Sequence, residues 1–250
     1  MEPTITTLAE RPELIGRIYD VEDVWPAFMN ADALANALFY RVAEDFPEYC
    51  VMATDQDGTP VARGRSIPFR FGGPRRQELP DGGWDQVLTW AYDDKQEGAE
   101  VNMATALEIM IAPGHLATGL SYRMLAALRD AVARQGIDTM VAPVRPNEKH
   151  LSPTLPMSDY IKLTRPDGLP QDAWLRVHVR AGATIEKVAP ASMVMAGSLA
   201  QWRGWTGLPF DTDGDVLVPG ALIPVNCSVA HDYAVYVEPN VWVRHDVKSR

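Results

Sequence analysis

The chain is short of cysteine, of excess positive charge, of long apolar runs and of paired metal ligands. Each shortage removes a class of protein. Its two cysteines, Cys50 and Cys227, are far apart and form no Cys-x-x-Cys spacing. That argues against a disulfide framework or a cysteine-built zinc site and suits a reducing compartment. A formal net charge of −10 disfavours nonspecific nucleic-acid binding and leaves no polybasic patch for a membrane surface. The same acidity can suit a cationic substrate, although surplus carboxylates mainly keep a protein in solution. No stretch approaches the ~18 apolar residues of a membrane-spanning helix. The opening MEPTITTLAERPEL has neither the basic nor the apolar region of a signal peptide. A cytoplasmic protein without nucleic-acid or membrane partners is therefore expected. The five histidines form no i, i+4 pair, so no metal is expected. Ser66, Ser121 and Ser228 lack the Gly-x-Ser-x-Gly setting of a hydrolase nucleophile.

What is present is an ordinary globular composition, 46% hydrophobic and 22% charged over 250 residues, enough for a well-buried core. Residues 10–46 carry Ile15, Ile18, Leu34 and Leu38 at helical spacings, with Pro26 dividing two expected helices. Tyr49 to Thr54 and Val61 to Phe69 read as a hairpin around Asp57-Gly58. Phe71 to Gly83 reads as a loop, and Trp84 to Gln96 as a helix.

The segment from Ala106 to Asn147 is the most informative. Leu107, Ile109 and Ile111 alternate along a strand that Pro113-Gly114 ends. From Gly119 the period changes: Met124, Leu125, Leu128 and Val132 form one apolar stripe of a helix, which Gly136 closes. Thr139 to Val144 returns to strand. A loop entering a helix N-terminus offers free N–H groups and a positive dipole end, and so can hold an anion such as a pyrophosphate.

This segment resembles the coenzyme-binding motif of the GCN5-related N-acetyltransferase (GNAT) superfamily, in which a strand leads through a loop Gln/Arg-x-x-Gly-x-Gly/Ala to a helix, a strand and an asparagine. The loop aligns as Leu116-Ala117-Thr118-Gly119-Leu120-Ser121 and the asparagine as Asn147; only Gly119 matches the loop strictly. A plain βαβ unit of another α/β fold is the alternative. Residues 174–188 resemble a later family element, Tyr-x-x-x-Gly-Phe, with His178 in the tyrosine position and Ala183 in the phenylalanine position. The stretch between, residues 148–173, is longer than the family's usual connection and reads as an irregular, proline-bearing insertion.

The resemblance implies an α/β fold, a mixed, mostly antiparallel sheet flanked by helices. A GNAT-like domain would span 1–197, with 198–250 as an extension of short strands and loops packed on it. It also implies an acetyl-CoA or other acyl-CoA co-substrate, a small-molecule amine as acceptor, and direct attack in a ternary complex. Neither cysteine lies in the motif segments, so no covalent acyl-enzyme is expected. By the same resemblance, Met110 and Ile111 would offer backbone groups to the pantetheine and thioester. Leu116, Ala117, Thr118, Gly119, Leu120 and Ser121 would hold the pyrophosphate, and Asn147 would bind the coenzyme or order the strand end. Glu108 is the expected base, its pKa raised by burial in a cleft; a surface or ion-paired glutamate is the alternative. His178 is the expected acid for the leaving thiolate, against a hydrogen-bonded core histidine. The segment Leu151 to Pro170 is expected to cover the acceptor side, buttressed by Trp205 and Trp242. A homodimer contact through Leu155, Met157 and Tyr160 is the alternative. Two rival functions stay open: a GNAT-like enzyme using an unusual acyl-CoA or a carrier-bound thioester, and a non-catalytic GNAT-like binding protein.

Overall fold

In the computed structural model, which describes residues 2–247, one nine-stranded sheet runs through the molecule. In chain order its strands are β1 Thr4–Thr7, β2 Cys50–Thr54, β3 Pro60–Phe69, β4 Met103–Ile111, β5 Thr139–Val144, β6 Thr184–Gly197, β7 Gly214–Val216, β8 Val225–Ser228 and β9 Tyr233–Asp246. The helices are α1 Ala33–Leu38, α2 Val42–Asp45, α3 Gly83–Glu97, α4 Leu120–Arg134, α5 Met157–Tyr160, α6 Ala173–Arg180 and α7 Leu199–Thr206. Every strand pairing is antiparallel except β4 with β5, so the sheet is mixed and mostly antiparallel. Among the described residues no helix is long and apolar enough to cross a membrane.

The helix α4 buries Met124, Leu125, Leu128 and Val132 against β2, β3 and β4. Each such side chain contributes roughly 1.5–3 kcal/mol of burial. The close approach needs Gly64 of β3: a Cβ there would stand 3.1 Å from both Leu128 Cδ1 and Val51 Cγ2. Gly136, with φ of 78°, turns the chain out of the helix as the sequence predicts.

Two regions depart from the sequence reading. Residues 10–46 do not form two helices; short 3₁₀ turns at Pro12–Asp20, Ala27–Ala31 and Phe39–Arg41 alternate with α1 and α2. The tail does more than pack on a finished domain. Its last strand, β9, is fourteen residues long and lies between β5 on one side and β6 on the other. The tail also carries α7, opened by a capping box in which Ser198 Oγ accepts from Gln201 N while Gln201 Oε1 accepts from Ser198 N. Between β5 and α6 the insertion is tied down by its polar groups. The fully buried Lys149 donates to Ser152 O and Leu222 O, while Asp172 accepts from Tyr160 Oη and Glu148 N.

Candidate active site

Strands β4 and β5 run side by side for only two residue pairs, Ala104 with Met140 and Thr105 with Val141. Beyond them β4 stays with β3 and β5 turns to β9, so the strands part. Their facing edges carry backbone N–H and C=O groups that no neighbouring strand takes up. A bulge sharpens the divergence: Arg65 pairs with Glu108 and Ser66 with Ala106, leaving Leu107 extra. The Leu107 carbonyl accepts a hydrogen bond from Trp84 Nε1 at 3.1 Å.

The opening is a cavity of about 930 Å³ lined by both strands. At one end lies the loop before α4. Ala117 at φ 59° and Gly119 at φ 83° turn the backbone so that the N–H groups of residues 117–121 find no acceptor among the described residues. They sit at the N-terminus of a fifteen-residue helix whose first residue has no side-chain cap. This is what an anion such as a pyrophosphate requires, and the residues present fit it. Met110, Ile111, Leu116, Ala117, Leu120, Ser121 and Asn147 all line the cavity. Thr118 faces a neighbouring cavity of about 410 Å³ that shares His115 and Leu120 with the first. Gly119 lines neither and acts through its backbone turn.

At the other end the walls are side chains from distant parts of the chain. Glu108 is buried and clasped by two arginines of β3. Arg63 Nε and Nη2 donate to its two carboxylate oxygens at 2.9 and 3.0 Å, and Arg65 Nε donates at 2.9 Å. Arg65 also lies over the Phe39 ring, 3.6 Å from its centre. Burial pushes the Glu108 carboxyl up, but Arg65 and Arg63 outweigh it and hold the group below the ordinary carboxylate range. The expectation of a raised pKa is therefore corrected: Glu108 is an ion-paired anchor and a weak base. A second ion pair, between half-buried Arg145 Nε and fully buried Glu238 at 2.9 Å, also faces the cavity, and Tyr236 Oη and Asn240 Nδ2 donate to the same glutamate.

His178, on α6, lines the cavity but is only 2% exposed. Its Nδ1 lies 2.9 Å from Nε2 of His245 on β9. Burial and the neighbouring His245 push its pKa down to about 3, so at neutral pH the ring is uncharged. An uncharged imidazole offers a neutral N–H donor here rather than a charged acid.

The expected cover from Leu151 to Pro170 is corrected. No residue from 151 to 170 lines the cavity; the N-terminal segment lines it instead, through Tyr19, Asp23, Trp25, Met29, Asn36 and Tyr40. Met157 and Tyr160 are buried within the chain. Trp202, Tyr236 and Trp242 are fully buried core residues, and Trp242 braces the loop before α3 by donating to Pro80 O. The sequence reading passed over Arg63 and Arg65. Two arginines two apart in the otherwise apolar run PVARGRSIPF are a signal, because both must point to one face of a buried strand. Glu238 and Arg145 carried no comparable mark.

The chain matches no family model. It is 30% identical over 275 aligned positions to an arginine N-acetyltransferase, avaD, of Aspergillus versicolor, covering 98% of this chain and 94% of the relative. Among solved structures it resembles the loading GNATL domain of CurA from Lyngbya majuscula, with a TM-score of 0.60 at 18% identity over 99% and 98% of the two chains. The GphF GNAT-like decarboxylase in complex with isobutyryl-CoA is similar at a TM-score of 0.56 and 16% identity, over 98% of this chain and all of that one.

Proposed function

The chain belongs to the GCN5-related N-acetyltransferase superfamily and is an acyl-CoA-dependent N-acyltransferase, and we propose that its acceptor is a small cationic amine of the arginine type. The observation that carries the reading is the continuity of one cavity. It joins the unpaired N–H groups before α4, the parted edges of β4 and β5, and the ionic walls around Glu108.

An acyl-CoA supplies a thioester already activated for attack by an amine. The chain's own residues do the rest. The N–H groups of 117–121 hold the pyrophosphate, and the free edge of β4 at Met110 and Ile111 holds the amide arm. Asn147 closes the β5 side. Donors placed where negative charge develops are worth about 10²- to 10³-fold in rate each, and His178 Nε2 is such a donor for the departing sulfur. Glu108 keeps Arg63 and Arg65 in place; the proton lost by the attacking amine passes through solvent at the cavity mouth to the departing thiolate, so the step yields amide and thiol. Asp23, half exposed at the rim and only 3.9 Å from Arg63, is the cavity carboxylate least committed to a protein partner, and it suits a cationic acceptor. Tyr19, Trp25 and Tyr40 line the same cavity, with the Arg65 guanidinium over the Tyr19 ring and that of Arg145 over the Trp25 ring.

Incubating the protein with acetyl-CoA and a panel of amines, arginine and lysine among them, tests this by mass spectrometry. Acetylated arginine is the expected product. Acetyl-CoA binding without transfer to any cationic amine would overturn the acceptor, and absence of acetyl-CoA binding would overturn the cofactor site.

A further inference from the structure

The contact between His178 and His245 holds one proton, and its placement decides what His178 presents to the cavity. The rings come from α6 and β9, 67 residues apart, and meet at 2.9 Å between Nδ1 of His178 and Nε2 of His245. Both are buried, at 2% and 0% exposure. Burial, with His245 beside the one and the Arg129 cation near the other, holds them at about 3 and about 4, so both are neutral near pH 7. Each neutral ring has one N–H, which leaves two arrangements.

In the first, His245 Nε2–H donates to His178 Nδ1. His245 Nδ1 is then a bare lone pair, and His178 carries its proton on Nε2. In the second, His178 Nδ1–H donates to His245 Nε2. His178 Nε2 is then bare, and His245 Nδ1 is an N–H group. The surroundings of His245 Nδ1 choose between them, because that atom is sealed from solvent and has no hydrogen-bond partner. A sealed N–H without an acceptor is among the rarest groups in folded proteins, while an under-used acceptor is tolerated more often. The cation near His245 is Arg129, whose Nε is itself buried without a partner. A guanidinium repels a second N–H and favours a lone pair. The second arrangement would bury two unanswered donors near each other; the first buries one.

We propose that His245 is a positioning residue that fixes His178 in the tautomer bearing its proton on Nε2, so that a neutral donor faces the cavity. His178 Nε2 has no protein partner, is not among the sealed atoms, and belongs to a ring that lines the cavity. Such a donor stabilises charge developing on sulfur or oxygen without surrendering its proton. The proposal rests on the acyl-transfer reading, yet its first test does not.

Imidazole ¹H–¹⁵N correlation spectra of the whole protein, with His178 assigned through His178→Gln, report which nitrogen carries the proton. Protonated Nε2 is the expected result; protonated Nδ1 overturns the proposal whether or not the protein transfers acyl groups. The second test compares His245→Gln, whose amide N–H can replace Nε2–H, with His245→Met, which has no donor. Turnover should fall about tenfold or more in His245→Met with KM for acetyl-CoA nearly unchanged, and should recover to within about threefold of wild type in His245→Gln. Equal turnover in His245→Met and wild type would overturn the assigned role. Should His245→Met fail to fold, the wild-type spectrum and the His245→Gln turnover still decide.

Discussion

The two ends of the cavity are built by different means. The proposed coenzyme end comes from one unbroken stretch, β4 through β5, and offers mainly backbone groups: the N–H donors of residues 117–121 and the free edges of the parted strands. The proposed acceptor end is assembled from Asp23, from Arg63 and Arg65 of β3, Glu108 of β4, Arg145 just after β5, and Glu238 of β9. A backbone site tolerates almost any side chain, which is how Leu116 and Ser121 stand where the family motif has Gln/Arg and Gly/Ala. A side-chain site tolerates little, because each buried charge depends on a named partner.

That contrast can be broken at either end. The largest effect should come from Glu108→Gln, which leaves Arg63 and Arg65 buried against a neutral amide. Removing one partner of a buried ion pair costs about 3–5 kcal/mol, and urea unfolding should register it. A loss below about 1 kcal/mol would mean that water screens the cluster.

Asp32 and Asp85 are buried against each other, close enough for a proton on Asp85 to be shared between the two carboxyl groups. Burial, then the adjacent Asp32, raises the Asp85 carboxyl from 3.8 to about 8. The folded chain therefore keeps a proton that the unfolded chain loses near pH 4, and stability should fall as pH rises from about 4 to about 8. Asp85→Asn keeps the acceptor for Val194 N and needs no proton, so its stability should be flatter across that window and higher at pH 8, by something on the order of a few kcal/mol. Parallel pH curves for the two proteins would show that Asp85 ionises normally.

At the coenzyme end, Ser121→Asp sharpens the comparison. A carboxylate in the first turn of α4 favours the helix dipole by about 0.3–1 kcal/mol, so the melting temperature should hold or rise. The same charge opposes a bound pyrophosphate, and acetyl-CoA affinity should drop at least tenfold, about 1.4 kcal/mol. Unchanged affinity would remove this loop from the site. The smallest effect is expected of Asp23→Asn at the solvent-facing rim, where exposed pairs contribute roughly 0.2–1 kcal/mol. KM for arginine should rise about two- to fivefold, with KM for acetyl-CoA unmoved. An equal rise in both would make Asp23 structural.

The same division explains what the sequence discloses. Pro113-Gly114, the stripe Met124, Leu125, Leu128 and Val132, and Gly136 are local signals, and the strand, loop, helix and strand they mark lie where expected. Glu108 is visible as a residue, but its ion pairs are not. Its arginines stand 45 and 43 residues earlier and reach it only through the β3–β4 register. The sheet position of β9 is equally non-local, since a strand's neighbours are not written in its own alternation. The α7 helix was legible in Ser198-x-x-Gln201, a local cap overlooked among the tail's aromatics. Residues 10–46 show helical spacing without sustained helix: Pro12 opens one turn and Pro26 precedes another, Ala27–Ala31, so the segment is divided into separate pieces.

Amide hydrogen exchange with and without acetyl-CoA tests whether the coenzyme is held by backbone and the acceptor by side chains. The N–H groups of 117–121 and the β4 edge at Met110 and Ile111 should slow strongly on binding. Residues 151–170 should exchange at the same rate in both states. Protection confined to 151–170, or none at 117–121 under saturating acetyl-CoA, would exclude backbone capture of the coenzyme at this loop.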